Sequence, residues 1–408
     1  MSAKLVSVDT LQAAIDAYEQ TGSNVSQAAA LLNKPRPTVQ HYITEAKRRG
    51  ITPSPSILNS NDPAQMRSQI RRLTEALKKA EEERLNHTII KHKIINLTHA
   101  VDSTEVPTWM RKGDASHSKP GVPTLFVSDL HWGEVVDGRQ INGVNRYNIE
   151  LAHQRLEQMA ERALRLCEII SPNMDYPGIV LPLGGDMVSG NIHDELTATN
   201  EMNSMPTLLD LFEALASLIK FFRKSFPNVF IPCVTGNHGR DTRKIWAKDR
   251  HHTSFDWLLY CFLAKRFSDD KQIRFLIPDG PDAYYKIYDH AYLMTHGDQF
   301  RGGDGVIGPL GPIIRGDHRK RSRNTQINMN YDTMIMGHWH QYIQLQRLIV
   351  NGSGKGYDEY AFANNFPYEP PQQAMWLTHP KYRITYRMPV LVDKYRDSVA
   401  RPWVSVVA

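Results

Sequence analysis

From about residue 120 onward, short apolar runs alternate with longer stretches in which apolar positions recur every three or four residues. The short runs fall at 124–127, 179–183, 229–234, 273–277, 283–287, 291–295, 333–336 and 342–350, and read as strands. The longer stretches, 149–170, 205–226 and 254–267, carry the helical period. Such alternation predicts an α/β sandwich with mixed sheets whose strand ends present functional groups.

The first 50 residues have a different texture, that of three short helices. Thr10 or Asp9 can cap the first, which carries Leu11, Ile15 and Tyr18 and ends near Gly22. Asn24 or Ser26 can cap the second, an alanine-rich turn through Leu32, and Lys34-Pro35 leads into the third, 37–49, closed by Gly50. Small alanines on the second helix let the third cross it closely. Residues 51–61 are rich in Pro, Ser and Asn and suit a linker. Beyond them Met66, Ile70, Leu73, Leu77 and Ala80 form a heptad seam, so a coiled coil pairing two chains through 62–83 is one reading and a single amphipathic helix is the other. A polar linker at 101–119 follows. Three regions are therefore expected: 1–50, 51–119 and 120–408.

Composition narrows the class. A chain of 408 residues that is 41% hydrophobic can bury substantial cores. No apolar run has the length of a membrane span, and no basic-then-apolar leader opens the chain, so a soluble, cytoplasmic protein is expected. Cys167, Cys233 and Cys261 are widely spaced and form no CxxC pair, as expected of apolar fillers in a reducing compartment. The formal charge of +6 is mild, but the cations are clustered, which favours a polyanionic partner.

The chemistry lies directly after five of the apolar runs. They lead in turn into Asp129 and His131, Gly185-Asp186, Gly236-Asn237-His238, His296, and Gly337-His338-Trp339-His340. Two divalent ions sharing a site need several hard oxygens and imidazole nitrogens within a few ångströms, and loops at one edge of a rigid sheet can supply them from remote positions. In extended chain, residues two apart project to one side, which would pair Asp129 with His131 and His338 with His340. A lone DxH or HxH is common; the ordered set is not.

That ordered set, DxH, GD, GNH, a single His and GHxH over about residues 123–355, resembles the calcineurin-like metallophosphoesterase superfamily. Its last motif is similar to that of the nuclease and phosphodiesterase branch. The resemblance implies a four-layer αββα sandwich holding two divalent ions, usually Mn2+, with iron or zinc compatible with the donors. It implies that Asp129, His131 and His340 hold one ion, that Asn237, His296 and His338 hold the second, and that Asp186 bridges them. His238 takes the proton-donor position. Hydroxide shared by the metals would attack phosphorus in line while His238 protonates the leaving oxygen. Two positions depart from the family pattern. Ser189 stands where many members carry a second aspartate that orients the histidine, and Gly239 follows His238 in place of an acid. Asp194, Glu195 and Asp241 are nearby acids that could substitute as orienters.

The N-terminal stretch NVSQAAALLNKPRPTVQHYI resembles the second and third helices of helix-turn-helix DNA-binding domains, in which Arg36, Gln40 and Arg48 could meet bases or phosphates. Arg240 follows the GNH motif, and Arg315, Arg319, Lys320 and Arg321 form a dense basic run in a glycine-rich segment expected to be a long mobile loop. Trp132 and Trp339 adjoin the metal-ligand positions and are core fillers or base platforms. A metal-dependent phosphodiesterase acting on DNA is the leading expectation. A phosphomonoesterase or cyclic-nucleotide phosphodiesterase is the alternative, and a DNA-binding regulator with a vestigial metal site is a third reading.

Overall fold

A computed structural model describes residues 6–54, 121–302 and 308–393. They belong to two compact units, within Met1–His92 and Lys93–Ala408. The heptad seam at 62–83, with the chain pairing expected of it, the linker at 101–119 and most of that at 51–61 lie outside the described residues.

The first unit packs α1 (Val8–Gln20), α2 (Val25–Leu31) and α3 (Arg36–Arg48) around Leu11, Ile15, Ala28, Val39 and Ile43. Ser7, rather than Asp9 or Thr10, caps α1: its hydroxyl accepts from the Thr10 amide. Asn24 caps α2 by accepting from the Ser26 and Gln27 amides. Pro37 sits in the first turn of α3, where a missing amide hydrogen costs nothing.

The second unit stacks two sheets. The six-stranded sheet runs β11-β10-β1-β2-β3-β4, with β1 (Val122–Leu125), β2 (Ile179–Val180), β3 (Val229–Pro232) and β4 (Ile273–Leu276) mutually parallel. β10 (Gln372–His379) lies antiparallel between β1 and β11 (Arg383–Leu391). The five-stranded sheet runs β5-β6-β7-β9-β8, in which β6 (His290–Thr295), β7 (Thr333–Met336) and β9 (Leu348–Val350) are parallel, and β5 (Asp282–Ile287) and β8 (Ile343–Leu345) are antiparallel edges.

Side-chain alternation sets the layers. Leu125, Val127, Ile179, Leu181, Val229 and Ile231 face outward and pack with α4 (Ile149–Ile170), α6 (Ser204–Ser225) and α7 (Phe255–Arg266). Phe126, Val180 and Phe230 face inward, against Tyr285, Tyr292, Met294 and Ile335 of the second sheet. Leu293, Met334 and Met336 then face α8 (Leu310–Gln326) through Ile313. The result is an αββα sandwich: the strand-helix alternation predicts an α/β sandwich with mixed sheets, and the family resemblance implies its four layers.

Two expectations change. The segment 299–324 is not simply a long loop: its second half is α8, and Pro309 and Pro312 fit because they occupy the N-terminal cap and first turn. The β10–β11 hairpin is absent from the sequence-predicted strands. All eight β10 residues are buried, so no exposed-buried alternation marks it, and Gln372, Gln373 and Thr378 interrupt its apolar character. Two short helices, α5 (Asp194–Thr199) and α9 (Glu359–Ala363), complete the unit. Among the described residues no helix is long and apolar enough to cross a membrane.

Candidate metal centre

All five motifs follow the C-terminal ends of parallel strands: β1, β2 and β3 in one sheet, β6 and β7 in the other. Their side chains converge. Donor atoms of Asp129, His131 and His340 lie within 4.8 Å of one another, as do those of Asp186, His296 and His338. A third grouping, His131, Asp186 and His238, links the two. Nε2 of His131 is 3.0 Å from Nε2 of His340, which is 3.5 Å from an Asp129 oxygen. Nε2 of His296 is 3.0 Å from Asp186 Oδ2 and 3.2 Å from Asn237 Oδ1.

The backbone is unusual at this edge. Asp129, His131, Asp186, His338 and His340 all have positive φ, between 47° and 69°. Side chains rarely adopt this region, and it clusters where function over-determines the backbone. The DxH and HxH pairs therefore converge from left-handed turns, not from the extended chain that the spacing suggests. Glycines permit the close approach. A Cβ on Gly236 would collide with the Asp186 carboxylate, and one on Gly337 with that of Asp129.

The donor set fits divalent cations. Burial, reinforced by the Lys355 charge, holds the His131 imidazole well below its usual range, and burial with His296 nearby brings His338 down to about 4. Both are neutral at pH 7, as a ligand must be. His296 behaves oppositely: burial opposes its charge, yet the adjoining Asp186 carboxylate raises it to about 10. A cation at this point would take the place of that proton. The His296 tautomer is set by Nδ1 at 2.9 Å from the Gly184 carbonyl, leaving Nε2 toward the site.

His238 lies across the gap from His131, ring centroids 4.5 Å apart. Its Nδ1 is 3.0 Å from the Ser189 carbonyl, and its amide donates to Asp186 Oδ1 at 2.7 Å. The backbone of the departing position itself thus orients the ring. None of Asp194, Glu195 and Asp241 is the acceptor, which corrects the expectation of a substitute acid.

Several supporting residues escaped the sequence reading. Asp256, in the first turn of α7, accepts the amides of Asp186 (3.0 Å), Met187 (3.2 Å) and Gly236 (2.9 Å), tying the β2 and β3 loops together. Burial and the Asp186 charge raise its carboxyl to about 6. The only sequence signal is an acid inside the apolar start of a helix, Ser254-Phe255-Asp256-Trp257. Ser128 donates a short hydrogen bond to Asp129, while Asn351 and Gln373 hold the Ser128 hydroxyl and amide. Glu134 forms a buried ion pair with Lys355 at 2.7 Å, and its other oxygen is 3.5 Å from His131 Nδ1.

The basic candidates divide. Arg36, Gln40 and Arg48 are exposed on α3, with Arg48 paired to Glu45 at 2.7 Å. Arg315 and Arg319 are exposed on α8 and line a cleft of about 580 Å³. Lys320 is instead buried against Asp282, so its ammonium serves the fold. Arg321 donates to Asp317 and to the carbonyls of Tyr331, Asp332 and Arg347, with its guanidinium 4.3 Å above the Tyr331 ring. Neither is placed to meet a phosphate backbone. Arg240 donates to the Asn237 carbonyl and steadies the GNH loop. Trp132 is core, 1% exposed, with Nε1 donating to Asp210. Trp339 is half-buried against the second-sheet core. The three cysteines are buried, and burial pushes the Cys167 and Cys261 thiols up to about 12, which removes them as nucleophiles.

No family model matches the sequence, and no curated protein matches it. Solved structures give faint likenesses. A Vps29 single mutant from Entamoeba histolytica is 11% identical, with a TM-score of 0.27, covering 65% of this chain and 98% of that one. A conserved uncharacterised protein (predicted phosphoesterase) from Streptococcus pneumoniae is 10% identical, with a TM-score of 0.25, covering 65% and 95%. A putative 5'-nucleotidase from Staphylococcus aureus is 11% identical, with a TM-score of 0.30, covering 69% and 56%.

Proposed function

We propose that the protein is a calcineurin-like metallophosphoesterase: a phosphodiesterase that uses two divalent cations, with Mn2+ the first choice, and acts on DNA. The observation that carries this reading is the pair of donor clusters linked through Asp186 and His131 at one sandwich edge. Asp129, His131 and His340 would hold one cation and Asn237, His296 and His338 the other, with Asp186 between them. Such cations draw charge from phosphoryl oxygens and make water a nucleophile near neutral pH. His238 acts as the general acid. Its Nδ1 engages the Ser189 carbonyl, so Nε2 is the atom that delivers a proton to the leaving oxygen. Asp256 and Ser128 hold the carboxylate-bearing loops in place.

DNA is favoured as substrate by the exposed Arg315 and Arg319 and by the three-helix unit, whose α3 offers Arg36, Gln40 and Arg48 to a major groove. With Mn2+ the full-length protein should hydrolyse bis-p-nitrophenyl phosphate faster than p-nitrophenyl phosphate and should cut end-labelled DNA. Turnover of the monoester alone would contradict the diesterase assignment. Absence of turnover with Mn2+, iron and Zn2+ would point to a DNA-binding role without catalysis.

A further inference from the structure

Trp246 stands apart from the other tryptophans beside the site. It lies in the loop between the GNH motif and α7, is 55% exposed, and adjoins Ile245, itself 39% exposed. Leaving two consecutive large apolar side chains in solvent forgoes burial that the fold obtains elsewhere, and such exposure marks contact surfaces. Trp246 lines two adjoining hollows. The smaller includes Gly236 and Asn237 of the metal centre; the larger is the 580 Å³ cleft lined by Arg315 and Arg319. Ile245, Trp246 and Arg250 belong to both. The larger cleft thus sets an aromatic face against a basic helix surface, and Ile245, Trp246 and Arg250 separate it from the metal-ligand loop by a hollow of only about 10 Å³. Arg250 is anchored from behind by Asp298 at 2.9 Å and the Gly236 carbonyl at 3.3 Å.

We infer that this cleft is a subsite for an unpaired nucleotide of single-stranded DNA, with the base stacked on Trp246 and the neighbouring phosphates held by Arg315 and Arg319. The inference rests on the phosphodiesterase reading for the reaction but not for binding. An exposed indole face can take a base face only when the base is unstacked, because a duplex presents base edges alone in its grooves. Clefts of several hundred Å³ accept ligands of about nucleotide size. Arg315 and Arg319 are one helical turn apart on α8, so their charges share a face and can follow consecutive phosphates.

The test uses the full-length chain and fluorescein-labelled tetrathymidylate, which is too short to span a helix-turn-helix site. Anisotropy is read in the Asp186→Ala background with Mn2+, where turnover does not interfere. Stacking is worth about 1–3 kcal/mol per base, so adding Trp246→Ala should weaken binding about 5- to 150-fold, and Trp246→Phe should recover most of it. Arg315→Ala with Arg319→Ala should lower the log-log salt slope by about 1 to 2. In otherwise native protein, Trp246→Ala should raise KM on single strands more than it lowers kcat, and should cost more kcat/KM on single strands than on bis-p-nitrophenyl phosphate. Unchanged tetranucleotide affinity, or an equal loss on the small diester, would overturn the subsite. An inactive native enzyme that still binds the tetranucleotide through Trp246 would overturn the catalytic reading alone.

Discussion

The strand-end edge and the basic run on α8 were both conspicuous in the sequence, yet only the edge gathers its residues into one site. At the edge, seven candidate ligands from five remote motifs meet. Along α8, Lys320 and Arg321, both candidates for a phosphate, turn inward to Asp282 and to carbonyl groups, while Arg315 and Arg319 stay out. A motif of residue type, spacing and glycine encodes geometry, because ligands must converge and only a small residue admits them. A run of charge encodes only composition. A helix distributes that run over all its faces, and any cation facing the core must find a partner.

The largest effect should come from the edge. Asp186→Ala removes the carboxylate that, beside His131, links the two clusters and should lower phosphodiester turnover by roughly 10³-fold or more, about 4 kcal/mol of barrier, in steady-state assays with Mn2+. Lys320→Ala should cost stability instead. It strips a buried carboxylate of one partner, and the loss should be about 3 kcal/mol, at the low end of such losses because Arg323 still reaches Asp282 at 2.8 Å. Urea denaturation would measure it, and a change under 1 kcal/mol would return Lys320 to the surface. Asp256→Asn keeps the shape but weakens the acceptor that ties two ligand loops together. Metal affinity should fall about 10- to 100-fold by calorimetry, with the fold intact by circular dichroism. Removing metal with a chelator should lower the melting temperature, since a site occupied at 100 times its dissociation constant adds about 2.7 kcal/mol. The smallest effect belongs to Arg319→Ala, whose stability change should stay within about 0.5 kcal/mol. Its effect should appear in the salt dependence of DNA binding.

Much of the fold was legible because its strands alternate between two cores: Leu293 faces one and Tyr292 and Met294 the other. β10 was not, since burial on both faces leaves no alternation to see. The identities of the converging residues were legible as well, although extended-chain alternation does not account for the DxH and HxH spacing. Asp129, His131, His338 and His340 converge through left-handed backbone, which no spacing rule encodes. The supporting network was least legible. Asp256, Asn351 and Gln373 act through backbone amides and single side chains far apart in sequence, so no local pattern marks them. The orienter of His238 was hidden for a related reason: the acceptor is a main-chain carbonyl, which every residue carries.

The central claim is that this edge holds two cations joined by Asp186. Calorimetric titration of metal-free, full-length protein with Mn2+, alongside Asp186→Ala, tests it most directly. Two equivalents per chain, with affinity for both reduced in the variant, is the predicted result. Saturation at one equivalent or none, or an Asp186→Ala isotherm that matches the native one, would contradict it.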